Sequence, residues 1–380
     1  MKNILDFLYN YWKKVDKLLY ITAVGLGVFG VVMLYSAVIN EASTIELAPR
    51  LYKTQAAALV MGAAAALAAA SVDYHKVVKL WFIYVPVSLV LFFLTFTDMG
   101  ITVESTGDRA WLKVGSGSVQ PSELLKIAFI CTFALHLSKV GDKINDLPHL
   151  LLILLHGAFP VGLIVIQGDD GTALVLICIF LCMLFSAGIS WKYILAAVLA
   201  APVIVYLVWT RFMKAHQKMR FLVLFDEELD PMGYGYQQHY GKIALGSGQV
   251  FGKGLISDDI IAIPEAQNDF IFAYIGQTLG FIGCISVIVV LAFICLKIFA
   301  NSRNTGDPEG KYICVGMFSL IFVHSVLNIG MVLGVMPVIG VPLPFLSQGG
   351  SSLVCVMAGV GLVMSVYSHS EKKYMFCDTE

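Results

Sequence analysis

Charge is what this chain has least of. Lys, Arg, Asp and Glu together make up 13% of its 380 residues, against 58% hydrophobic residues. A soluble domain carries about 25% charged residues, and a chain this poor in charge cannot cover a water-facing surface. Two or three soluble domains, the division its length would otherwise suggest, are not expected; the sequence reads as a polytopic membrane protein. The polar loops contain no cysteine. Cys131, Cys178, Cys182, Cys284, Cys295, Cys314 and Cys355 lie in apolar runs and Cys377 in the terminal tail, which speaks against a disulfide framework or a metal cluster. Cys178 and Cys182 share a helix face and read as small buried hydrophobes. The net charge of -1 and the lack of a basic block point away from nucleic acid. No Gly-Lys-Ser/Thr follows a strand pattern and no Asp-x-Asp pair occurs, so a soluble nucleotide-activated donor is not expected either.

What is abundant is apolar sequence. A membrane span needs about 20 mostly apolar residues, and ten candidate runs are present: 18–38, 53–71, 78–97, 122–138, 149–166, 172–189, 192–209, 269–297, 312–333 and 350–367. The amphipathic flank Met1–Lys17 is long for a signal peptide, so the first run reads as an uncleaved span. An even number of spans puts both termini on one side. With the termini inside, fourteen of the 25 Lys and Arg fall at cytoplasmic helix ends, and cytoplasmic termini follow from that bias. Six of the rest, Arg211, Lys214, Lys218, Arg220, Lys242 and Lys253, sit in one polar stretch. The expected fold is therefore an all-α integral membrane protein of about ten transmembrane helices, a single polytopic domain over 1–380 with a large extracytoplasmic loop over 210–268. Basic residues retained outside against the topological rule suggest an anionic ligand there; solvated loop charges are the plainer explanation.

Four outer-face segments combine polar groups with glycine or proline. The first contains Arg109, Trp111 and Lys113, followed by Gln120-Pro121-Ser122-Glu123 and Lys126. Proline at N1 with Glu123 in the first turn marks a helix start, and Glu123 with Lys126 at i, i+3 can form a structural ion pair. The second is Gln167-Gly168-Asp169-Asp170-Gly171-Thr172, where Asp170 or Thr172 can cap the next helix and Asp169 is left over. The third is the loop itself, ending in Pro264-Glu265-Ala266-Gln267-Asn268-Asp269 at the mouth of an apolar helix. If that helix begins by Glu265, Glu265 and Asp269 share a face. A carboxylate held near low-dielectric surroundings has a raised pKa and becomes a better proton acceptor; a helix cap is the bland role for Asp269. Gly276 and Gly280 form a Gly-x-x-x-Gly packing pair. The fourth runs from Met336 to Ser352, includes Ser347, Gln348, Ser351 and Ser352, and has too much proline and glycine for a continuous helix. Irregular backbone at membrane depth is tolerated where it lines a cavity.

In this order the motifs resemble the SEDS family (shape, elongation, division and sporulation), the RodA, FtsW and SpoVE proteins. The likeness covers nearly the whole chain, from Met33-Leu34-Tyr35-Ser36-Ala37 through Arg109-Ala110-Trp111, Gln120-Pro121-Ser122-Glu123, Pro264-Glu265 and Asp269-Phe270-Ile271-Phe272-Ala273 to Pro342-Leu343-Pro344-Phe345 and Gly349-Gly350-Ser351-Ser352. The short flank and tail lean towards RodA.

The resemblance implies a glycosyltransferase that joins lipid II units into a peptidoglycan strand and releases undecaprenyl diphosphate. It implies Asp269 as the catalytic base, with Arg109, Trp111, Lys113, Gln120, Ser122, Glu123, Lys126, Asp169, Arg220, Glu265, Ser347, Ser351 and Ser352 around the substrate. Charge on the leaving diphosphate would be met by Arg109, Lys113, Lys126, Arg220 or a divalent cation, Mg or Mn. The implied partner is a class B penicillin-binding protein, and the implied location is the bacterial cytoplasmic membrane. The chain departs from the family pattern at Gln277-Thr278, where a glutamate pair is usual, at Gln348, at Gln267-Asn268 and in Gln167–Thr172. A lipid II flippase and a catalytically weak scaffold for the transpeptidase are the alternatives.

Overall fold

The computed structural model describes residues 15–43, 50–102, 108–115, 117–226, 229–230 and 232–369. Most of the amphipathic flank, Gly107 and Cys377 lie outside these residues. Helices α1 (Lys17–Ile39), α2 (Arg50–Ser71), α3 (Tyr74–Lys79) and α4 (Trp81–Leu94) lead to three short strands, β1 (Gly100–Ile101), β2 (Trp111–Val114) and β3 (Gly117–Val119). Then come α5 (Pro121–Val140), α6 (Leu147–Gln167), α7 (Asp170–Ser186), α8 (Trp191–Leu207), α9 (Ala215–Leu222), α10 (Tyr234–Ser247), α11 (Ile271–Asn304), α12 (Pro308–Val332) and α13 (Gly350–His369). Among the described residues, eight helical segments are long and apolar enough to cross a membrane, built on α1, α2, α5, α6, α8, α11, α12 and α13.

Two expected spans are shorter helices. The run at 78–97 is interrupted where α3 ends at Leu80, leaving the apolar α4 with Pro86 inside it. The run at 172–189 becomes α7, capped at Asp169 and ended near Gly188. The strands were not foreseen. They form an antiparallel sheet in the order β1-β2-β3, with Leu112 opposite both Gly100 and Val119. Strands of two to four residues carry too little alternation to be read from sequence.

Small residues set how closely the helices approach. Ala58, Gly62, Ala66 and Ala70 make one stripe on α2, and α13 lies along it; a Cβ on Gly361 would collide with the Ala66 backbone. Lipid tails are as apolar as the helix surfaces, so close backbone packing of this kind holds membrane helices together.

The pair Gly276 and Gly280 proves to be a joint as well as a contact face. Gly280 leaves helical geometry at φ 66° and ψ -163°, and the segment after α10 inserts there. Phe281 N donates to Gln249 O at 2.8 Å, while Lys253 N and Gly254 N donate to Gln277 O and Thr278 O at 3.0 and 2.9 Å. The break in α11 is thus satisfied by the loop, as buried backbone polar groups must be. The Gln277 carboxamide, oriented to satisfy both its atoms, also pairs with the backbone N–H and C=O of Ile261.

Candidate active site

The site forms where the turn before α11 meets α7, α12 and the irregular segment between α12 and α13. The helix starts at Ile271, so Glu265 and Asp269 do not share a helical face as expected; they belong to a tight turn. Glu265 stands at φ 54°. Its backbone carbonyl accepts from Asn268 N at 2.9 Å and Phe270 N at 3.2 Å. Its Oε2 accepts from Asn268 Nδ2 at 2.6 Å and Gln267 Nε2 at 3.2 Å. The residues Gln267 and Asn268, which depart from the family pattern, therefore hold the turn shut.

Asp269 is half-buried beside Gly340, whose positive φ brings backbone so near that a Cβ there would lie 3.4 Å from Asp269 Oδ2. Burial pushes the Asp269 carboxyl up to about 7, and the charges of Glu265 and Asp169 push the same way, while Arg220 opposes them. The carboxylate is poised near neutral pH, where a general base works best.

Asp169, and not the expected Asp170 or Thr172, is the cap of α7. Its Oδ1 accepts from Thr172 N at 2.9 Å, and its Oδ2 from Thr172 Oγ1 at 2.8 Å and Gln120 Nε2 at 2.9 Å. Asp170 instead takes the carboxamide of Gln217. Gln120 reaches further, its N–H donating to Ser351 Oγ at 3.2 Å. Gly171 lets α7 close on Ile339, with room for no side chain.

The structure thus gathers Asp269, Glu265, Asp169 and Arg220, with Gln120 and Ser351 linked to Asp169. Ser347 is buried and hydrogen-bonds to the turn, Oγ to Asn268 O at 2.6 Å. Ser352 is half-buried in the first turn of α13. Trp111 and Lys113 lie on β2, Trp111 half-buried and Lys113 exposed; exposed Arg109 donates from Nη1 to Phe96 O at 3.5 Å. Ser122, Glu123 and Lys126 are buried inside the bundle. Glu123 and Lys126 close on each other at 3.0 Å, and Lys126 Nζ also meets His324 Nε2 at 3.0 Å. They form the ion pair that their spacing allows.

Two residues escaped the sequence reading: His324 and Asn328, both buried on α12. A polar pair four residues apart within an apolar run was the signal, since such groups need partners or a task. For a divalent cation the fit is poor. No three His, Cys, Asp or Glu side chains converge as ligands among the described residues, and Asp169 and Asp170 are already engaged by protein donors.

Comparison with known proteins agrees with this architecture. The profile of the FtsW, RodA and SpoVE family, described as cell cycle protein, matches residues 16–372. Peptidoglycan glycosyltransferase MrdB of Escherichia coli (strain K12) is 34% identical over 269 residues, 70% of this chain and 72% of the relative. A probable peptidoglycan glycosyltransferase FtsW from Geobacter sp. (strain M18) is 33% identical over 367 residues, 92% and 96% of the two chains. A chain from a peptidoglycan synthase complex, solved for the structural coordination of polymerization and crosslinking, superposes with a TM-score of 0.78 at 26% identity, covering 93% of this chain and 97% of that one. The rod shape determining protein RodA of Thermus thermophilus gives 0.68 at 25% identity, covering 93% and 96%. The fold and site define a multi-pass membrane protein with an acidic centre at one end of its bundle. The chain belongs to the FtsW, RodA and SpoVE family.

Proposed function

We propose that this member of a family of peptidoglycan glycosyltransferases polymerises lipid II, with Asp269 as general base. The observation that carries the reading is the placement of the Asp269 carboxylate, at the end of the closed Glu265 turn and against the Gly340 backbone, where burial raises its pKa and Arg220 is among the charges acting on it. Asp269 takes the proton from the acceptor sugar hydroxyl as that oxygen attacks the donor's anomeric carbon. The new C–O bond forms while the bond to diphosphate breaks, and the carbon inverts to give a β-linked strand. Undecaprenyl diphosphate departs with the bonding electrons, and Arg220 is the cation nearest in role to its developing charge. Both substrates are lipid-anchored and arrive from the bilayer.

The reading places the site on the outer face of the bacterial inner membrane and both termini in the cytoplasm, as the distribution of Lys and Arg supports. It also takes a class B penicillin-binding protein as partner, in line with the synthase complex whose chain this one resembles. The test is incubation of the purified protein with lipid II, with and without the candidate transpeptidase, and separation of products on a gel. A glycan ladder that disappears in Asp269→Asn is expected. No ladder from folded protein under either condition sinks the reading and shifts weight to a flippase or scaffold.

A further inference from the structure

Three consecutive backbone carbonyls lead into α11, and each is held by a different donor. Gln267 O accepts from Gln348 N at 2.8 Å, Asn268 O from Ser347 Oγ at 2.6 Å, and Asp269 O from Asn328 Nδ2 at 2.8 Å. Asn328 is fully buried on α12, and its same nitrogen donates to Val341 O at 2.8 Å. An amide NH2 has two hydrogens, and here both go to carbonyls, which settles how the carboxamide is turned. One helical turn earlier, His324 Nδ1 meets Pro342 O at 3.1 Å. A carbonyl only accepts, so that nitrogen carries the proton and Nε2 is left to accept from Lys126. Adjacent carbonyls of the irregular segment are therefore fastened to α12 by adjacent rungs of one polar stripe.

The geometry has a direct effect on Asp269. Peptide units are planar, and each residue has only two soft backbone torsions. The direction of a side chain's Cα–Cβ bond is set by the peptide planes before and after it. Ser347 fixes the plane before Asp269 and Asn328 the plane after. Val341, the other end of the Asn328 bridge, follows Gly340, whose backbone faces the Asp269 carboxylate.

We propose that Asn328 and Ser347 are positioning residues for Asp269, fixing its two flanking peptide planes and hence the place where its carboxylate meets the acceptor hydroxyl. The inference rests on the reading of Asp269 as general base. Misplacing a reacting group by about 1 Å costs on the order of 100-fold in rate, whereas a merely structural pair would lower stability and leave turnover alone. Neither residue needs to touch substrate for this effect.

The test compares wild type with Asn328→Ala, Asn328→Asp, Ser347→Ala and Asp269→Asn as full-length purified proteins. Each is assayed with lipid II for kcat and KM separately and melted thermally in the same detergent. Asn328→Asp keeps the shape but loses the paired donors. The expected result is a kcat lowered about 10- to 100-fold in both Asn328 variants with KM within about threefold, and a smaller fall in Ser347→Ala. Folded Asn328 variants with kcat within twofold of wild type, beside an inactive Asp269→Asn, overturn the inference and leave the base assignment standing. Activity in Asp269→Asn overturns the base assignment, and the inference with it. If the Asn328 variants do not fold, Ser347→Ala decides: a fall in kcat at constant KM supports the device, and unchanged kcat overturns it.

Discussion

The carboxamide of Gln217 donates to both carboxylate oxygens of Asp170, at 2.8 and 2.7 Å. Gln217 belongs to α9, three residues before Arg220, and Asp170 is the first residue of α7. A polar arm that leaves the bundle after α8 is thereby tied back over the Asp269 site. The tie places a guanidinium where it lowers the pKa of a carboxylate that everything else around it raises.

Arg220→Ala removes the cation that opposes the upward shift at Asp269. The acid limb of the rate profile then moves to higher pH, and kcat falls by about 100-fold if Arg220 also meets the leaving diphosphate. Gln217→Ala acts in the same direction but less, since it loosens the arm without removing the charge. Rate against pH from 5 to 9 in about unit steps checks both.

Asp269→Asn trades activity for stability. The folded carboxyl is raised from 3.8 to about 7, so between those values the folded chain keeps a proton that the unfolded chain has lost. Stability from this group is greatest at low pH and declines as pH rises from about 4 to about 7. The neutral amide escapes that loss. The variant should lose about 1000-fold in rate yet melt higher than wild type, with a larger gain at pH 8 than at pH 5. The gain at pH 8 is on the order of 1 to 3 kcal/mol. Thermal melts at the two pH values decide it.

Glu123→Ala leaves the ammonium of Lys126 in the bundle interior with its carboxylate gone. Breaking a buried pair on one side costs about 3 to 5 kcal/mol, while replacing both partners by apolar groups of similar volume is often neutral. The single variant should be strongly destabilised and Glu123→Met with Lys126→Met much less so, as thermal melts of the two will show. If the double variant also keeps its turnover, the pair serves the fold alone.

Gly280→Ala meets two obstacles. Its φ of 66° is in the left-handed region, and a Cβ there would collide with the backbone of Val250 and Gly252. A loss of about 1 to 3 kcal/mol is expected, together with faster proteolysis in the segment 249–254 as its seat on α11 is disturbed. Gly115 also has positive φ, but a Cβ there would meet nothing within 4 Å, so Gly115→Ala shows what a positive φ costs without a clash.

Eight of the ten expected spans were legible among the described residues, because bilayer thickness imposes a length and a composition that few other structures share. That Asp269 and Glu265 lie close together was legible from their spacing, but the turn that holds them was not, since the helix begins only at Ile271. The exchange of roles between Asp169 and Asp170 was not, since neighbouring acids are equally good caps on paper and only the arrival of Gln217 and Gln120 separates them. His324 and Asn328 were hidden by averaging: one imidazole and one amide scarcely lower the hydropathy of a run as apolar as α12. The break at Gly280 depended on a loop far enough away in sequence that no local pattern could announce it. Gln277 has its reason there too. An amide can donate to and accept from Ile261 at once, which an ionised glutamate could not do.

Helix α8 has no buried side chain along its length, nor does the turn that continues it to Phe212. It is moored instead at its ends. At one end Asn145 Oδ1 accepts from Ser190 N at 2.6 Å and Asn145 O accepts from Tyr193 Oη at 3.1 Å; the other end leads to the Gln217 tie. The 22 residues from Trp191 to Phe212 rise about 33 Å at 1.5 Å each, close to the roughly 30 Å of a bilayer's hydrocarbon core. Among the described residues this strut keeps few protein contacts along its length, so the surrounding bilayer, which its length matches, becomes in effect a structural component of the protein.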